Sequence, residues 1–154
     1  VLGDMAMDPP DPLPYISGTA LLDELPVEAT DELVAVAGAG TDSPLTMVEF
    51  RQLGGALERT PEGAGAVTGM PGEFVMFSLG VPMDEESALA IRERLDQIAE
   101  VLRPFHSGDY PNFIEKPSDA SSFFDADRWQ RLRRAKAAYD PGDLFKGNHH
   151  IPPA

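Results

Sequence analysis

A chain of 154 residues is long enough for one domain with a sizeable core, and its formal net charge of -14 leaves it without the clustered Lys and Arg that nucleic acid or an anionic membrane surface requires. Zero cysteines exclude disulfides and thiolate metal sites and point to a cytoplasmic setting. No stretch is long and apolar enough to span a membrane.

Residues 1–15 hold an Asp/Pro-rich run from Met5 to Pro14 that reads as a surface connector. From Pro26 to Ala37, the spacing of Val27, Leu33, Val34 and Ala37 predicts a short amphipathic helix, with Pro26 in its first turn and Gly38 just past its end. After a Gly/Ser/Asp/Pro loop, Leu45 to Arg51 alternates as a half-buried strand does, with Thr46, Val48 and Phe50 on one face and Met47, Glu49 and Arg51 on the other. Gly54, Gly55 and the Gly/Ala run from Gly63 to Gly72 form connections, and Glu73 to Val81 is a second strand. Ala88, Ile91, Leu95, Ile98 and Leu102 make one apolar stripe on a helix from Glu85 to Arg103, capped by Asp84 and stopped by Pro104. Asp109 to Glu115 reads as a short strand. Asp125 caps a helix from Ala126 to Ala138 with Trp129, Leu132 and Tyr139 inward. No Lys or Arg precedes Arg51, whereas Arg128, Arg131, Arg133, Arg134 and Lys136 crowd this last helix, which reads as a solvated basic face offsetting acidic neighbours. Strands interleaved with helices by irregular connections predict an α+β fold, a small antiparallel sheet with helices packed on one face.

Few residues offer chemistry. On a strand, Tyr110, Asn112 and Ile114 share a face, which brings a phenol and an amide together. A tyrosine takes a proton from an alcohol or phenol only if its ordinary pKa of about 10 is lowered by a nearby charge or donor; otherwise it covers a sheet edge. Asn148 follows the Phe145-Lys146-Gly147 turn and serves either a ligand or its own backbone. His149 and His150 point apart on an extended chain and His106 stands far off in sequence, so no metal site is expected. Arg51 is expected to pair with a carboxylate, and Met70, Met76, Phe74, Phe77 and Trp129 to line core or pocket.

The order of four segments adds to this. Tyr110-Pro111-Asn112-Phe113, the Arg131-Leu132 helix, Tyr139-Asp140-Pro141 followed by Phe145, and Asn148 followed by Ile151-Pro152 resemble the closing segment of the berberine-bridge-enzyme-like FAD-linked oxidases. Upstream, Ile16-Ser17-Gly18 through Leu25-Pro26-Val27-Glu28-Ala29 looks like the start of that family's substrate domain, and Arg51-Gln52-Leu53-Gly54-Gly55-Ala56 resembles its Arg-x-Leu-Gly-Gly-Ala. The resemblance implies a vanillyl-alcohol-oxidase-type fold, with residues 16–140 forming part of the substrate domain. Residues 141–154 would be a tail returning toward an N-terminal FAD domain that this chain does not contain. Together with the start at Val1, it suggests a C-terminal piece of a larger oxidase, inactive by itself.

By the same resemblance the sheet's outer face would line a substrate cavity. Tyr110 would be the catalytic base beside the flavin, and Asn112, Asn148 and His149 would contact FAD. The implied partners are the flavin-binding portion and a small-molecule substrate, with self-association through the face the flavin half once covered. Phe113 stands where many relatives carry a second Tyr. The rival expectation is a non-catalytic small-molecule binding or interaction domain without flavin.

Overall fold

The computed structural model describes residues 11–154. Most of the predicted connector therefore lies outside the described residues. The fold begins with β1 (Ile16–Leu22), followed by α1 (Val27–Ala37), β2 (Met47–Gln52), β3 (Phe74–Gly80), α2 (Glu85–Leu102), β4 (His106–Gly108) and α3 (Ala126–Tyr139). The sheet has four strands in the order β2-β3-β1-β4, and each neighbouring pair is antiparallel. It follows that β1 and β2 run parallel with β3 between them, while α2 joins β3 to β4 across β1. This is the split βαβ arrangement used twice. The predicted α+β class, an antiparallel sheet flanked by helices, is what the structure has.

Strand alternation sorts the side chains. Ala20 and Leu22 of β1, Met76 of β3, and Leu33, Ile98 and Leu102 of the helices are buried together, with Val48 and Phe50 packed against them. Burial of such a Leu or Ile side chain contributes about 1.5–3 kcal/mol. Gly80 allows α2 to close on the sheet, since a Cβ there would stand 2.7 Å from Ile91 Cγ1. Gly72, at φ +84, lets the chain fold over β1; a Cβ would meet the Leu22 carbonyl oxygen at 2.6 Å. The opposite sheet face carries a second, smaller cluster of Leu21, Leu53 and Val75, with Met70, Tyr110 and Phe113 resting on it.

The predicted α1 and α2 and the strands at β2 and β3 are present. Asp84 caps α2 as expected, through a reciprocal pair in which its carboxylate accepts from Ser87 N and Ser87 Oγ accepts from Asp84 N. One strand was not expected, and two expectations need correction. β1 lies inside the sheet although Ile16–Leu22 carries no clear alternation; on its helix-facing side Gly18 lets α2 lie close, with Leu95 Cδ2 3.3 Å from where a Gly18 Cβ would stand. The strand read from Asp109 to Glu115 is not one. Pairing ends with β4 at Gly108, and Pro111–Phe113 is a single 3₁₀ turn, because Pro111 has no N–H for a ladder and suits a turn's first position. Tyr139 does not point inward. It is 90% exposed, and the inward position belongs to the buried carboxylate of Asp140.

The basic residues of α3 also differ from a solvated face. Arg128 donates to Gly69 O (3.5 Å) and Thr68 Oγ1 (3.4 Å), Arg131 to Ala64 O (3.4 Å) and Arg133 to Pro153 O (2.9 Å). Their planar forks hold the glycine-rich loop and the C-terminal tail, which have few apolar contacts of their own.

Candidate functional site

Tyr110 is extended, as the residue ahead of a proline is, and the 3₁₀ turn begins at Pro111. The turn closes with Phe113 N donating to Tyr110 O at 3.0 Å. It folds the Phe113 ring back under the phenol, edge-on at 4.8 Å between centroids, and onto Phe77 of β3 at 4.7 Å. The amide of Asn112 donates to the Tyr110 hydroxyl at 3.1 Å. Phenol and amide do converge, by the turn rather than by strand alternation.

A cation lies under the same cluster. The Arg51 guanidinium carbon stands 5.3 Å from the centre of the Phe113 ring, and its Nε and Nη2 donate to the Glu49 carboxylate two positions along β2. Arg51 is held protonated mainly by its bond to Glu49, partly opposed by burial, with smaller support from the charges of Glu49 and Tyr110; the Glu49 carboxyl is correspondingly lowered, first by Arg51. The sequence pointed to the carboxylate partner but not to the aromatic cluster. The available signal was that Glu49 and Arg51 share the strand face opposite Val48 and Phe50.

The C-terminal tail comes back to this turn. Asn148 Nδ2 donates to Ile114 O (3.2 Å) and Glu115 O (2.9 Å). His149 Nε2 lies 3.0 Å from Pro111 O and 2.9 Å from Ile114 O. Two carbonyl acceptors require a proton on Nε2, and Nδ1 is buried without a partner among the described residues. His150 turns the other way, its Nε2 3.1 Å from Asp143 Oδ2. Among the described residues no group of three or more His, Asp or Glu is placed to hold a metal ion.

Between tail and turn lies a cleft of about 540 Å³ whose lining includes Asn112, Asn148, His149, Phe123, Phe124 and Ile151. Phe123 meets the His149 ring edge-on at 4.9 Å. Three of the four candidate residues thus share one cleft, and Tyr110 is a single hydrogen bond away through Asn112. A second cleft of about 490 Å³ runs between α2 and residues 109–116, beside the part of β1 that β4 leaves unpaired. At its rim the Tyr15 hydroxyl is raised, first by its hydrogen bond to Glu115.

Neither a protein-family profile nor a curated protein sequence matches the chain. Solved structures do. A BBE-like protein from Physcomitrella patens superposes with a TM-score of 0.73 at 14% identity, over 97% of this chain and 33% of that one. Phl p 4, a grass pollen allergen with glucose dehydrogenase activity, gives 0.71 at 18%, over 91% and 33%. Berberine bridge enzyme gives 0.69 at 20%, over 94% and 34%. This chain has the fold of the C-terminal part of berberine-bridge-enzyme-like proteins. It spans about a third of the length of the structures it matches, and the BBE-like fold accounts for nearly all of it.

Proposed function

We propose that this chain is the substrate-side, C-terminal portion of a FAD-dependent oxidoreductase that oxidises an alcohol or similar group of a small molecule. The observation that carries the reading is the Tyr110–Asn112 hydrogen bond at the mouth of a cleft that Asn112, Asn148 and His149 line. The BBE-like fold and the order of the four segments support it.

The cleft suits a flavin. It offers apolar walls at Phe123, Phe124 and Ile151, and an unsatisfied buried nitrogen at His149 Nδ1 that a ligand's polar group would complete. Asn112, Asn148 and His149 would hold the group. When bound, the flavin accepts the hydride and returns its electrons to dioxygen. The chain's own residues do the rest. Tyr110 is the base that takes the hydroxyl proton of the substrate at Oη. The C–H electron pair then leaves as hydride and the carbinol carbon becomes a carbonyl. Asn112 keeps the phenol oriented by donating to Oη. The flavin-binding portion of the same enzyme is the partner this requires.

The test is Tyr110→Phe in the complete enzyme. Turnover is expected to fall by about 10²–10⁴-fold, with flavin absorbance and ring packing against Phe113 retained. Wild-type turnover would remove Tyr110 from the mechanism. A complete protein that purifies colourless and takes up no flavin would replace the enzymatic reading with that of a binding domain.

A further inference from the structure

The turn that presents Tyr110 has little to hold it in place by itself. A 3₁₀ turn of three residues is a weak unit, with poor hydrogen-bond geometry and no cooperative length. Its outer carbonyls face the tail, and the tail supplies the donors. Asn148 Nδ2 serves Ile114 O and Glu115 O, and the one proton of His149 Nε2 is shared between Pro111 O and Ile114 O, across 33 to 38 positions of sequence. The tail is in turn fixed to α3, because Arg133 donates to Pro153 O and Ala154 N to Arg133 O.

We propose that Asn148 and His149 are positioning residues, whose donors clasp the Pro111–Glu115 carbonyls and so set the direction in which the Tyr110 phenol is presented. The proposal rests on the reading of Tyr110 as the base, and it gives each tail residue a second role. One polar group of each faces the turn, while Asn148 Oδ1 and His149 Nδ1 remain for a ligand. A base misplaced by a fraction of an ångström loses much of its rate, so the clasp is the device that makes a surface turn precise enough to work.

The chain has only three tyrosines, Tyr15, Tyr110 and Tyr139, so tyrosine labelled with ¹³C at Cζ resolves the phenol, assigned by its disappearance in Tyr110→Phe. His149→Phe keeps a ring against Phe123 but removes the donor; His149→Gln restores a donor without the ring. The expected result is a shifted and broadened Tyr110 resonance in His149→Phe and a return toward wild type in His149→Gln. Tyr139 and the Trp129 emission should stay constant in both. An unmoved Tyr110 resonance in His149→Phe overturns the proposal, as does an equal shift in both variants, since restoring the donor would then have restored nothing. Should His149→Phe fail to fold, Asn148→Asp, at an exposed site, decides. It keeps the shape without the donors, and it must move the same resonance or the clasp is refuted. None of these readouts involves turnover, so they stand whether or not Tyr110→Phe silences the complete enzyme.

Discussion

Asp140 holds the turn after α3 with its carboxylate. It is 8% exposed, accepts from Leu144 N at 2.9 Å and Phe145 N at 3.0 Å, and pairs with Lys136. Its pKa falls from 3.8 to about 2, first because of Lys136 and then because of the two backbone donors, with desolvation opposing. Asp143 beside it is lowered as well, led by Lys146, with burial opposing and Lys136 and His150 assisting. A carboxylate whose folded pKa is depressed stabilises above its unfolded value and loses that contribution as pH falls through the folded one. The urea midpoint of wild type should therefore exceed that of Asp140→Asn at pH 5 to 7, and the gap should close between about pH 4 and 2. A gap that persists unchanged at pH 2 would show that shape rather than charge fixes the turn. The Tyr-Asp-Pro order was legible in the sequence, but the burial was not. Helical spacing assigned the inward position to the larger apolar Tyr139, while three converging donors make the neighbouring acid the better interior residue.

The elements that sequence periodicity resolved are those whose own side chains decide their placement. α2 carries a continuous stripe, with Ile91 and Ile98 at 1% and 0% exposure, and both of its caps are local. Ile98→Ala should cost about 2–5 kcal/mol in equilibrium unfolding, since it opens a cavity between helix and sheet. Asp84→Ala should cost about 1 kcal/mol, the loss of a cap on an exposed turn. Equal costs for the two would mean that the helix is held by its ends rather than by its stripe. The elements that periodicity missed are set by other parts of the chain. β1 is interior because β3 pairs with all seven of its residues, and its small residues signal close approach rather than alternation. Residues 109–115 hold too few apolar positions to choose between strand and turn, and the choice falls to Pro111 within and to the tail 33 or more positions away. Tyr110, Asn112, Asn148 and His149 could be picked out from the sequence; the bonds that join the last two to the turn required the fold.

At the scale of the whole molecule, two surfaces lack a partner among the described residues. One is the edge of β1 from Ile16 to Ala20, where β4 pairs only with Leu21 and Leu22. Arg92, Asp96, Glu115 and Lys116 line the groove beside it, and charges of both signs at an open edge disfavour strand addition by another copy. The other surface follows α3, where Tyr139, Leu144 and Phe145 are 90%, 82% and 77% exposed on a turn that Asp140 and Lys136 hold rigid. Large apolar side chains held in water on a well-bonded turn suit contact with another surface. By itself the chain should self-associate through this turn as concentration rises. The net charge of -14 opposes contact between copies, so association should strengthen with salt as the repulsion is screened. Sedimentation velocity at low and high ionic strength, on wild type and on the Leu144→Ser/Phe145→Ser double variant, separates the two surfaces. The double variant should remain monomeric at both salts. Association that survives the double variant would move the contact to the β1 edge, and a strict monomer at high protein and high salt would leave the exposed turn without the role assigned to it.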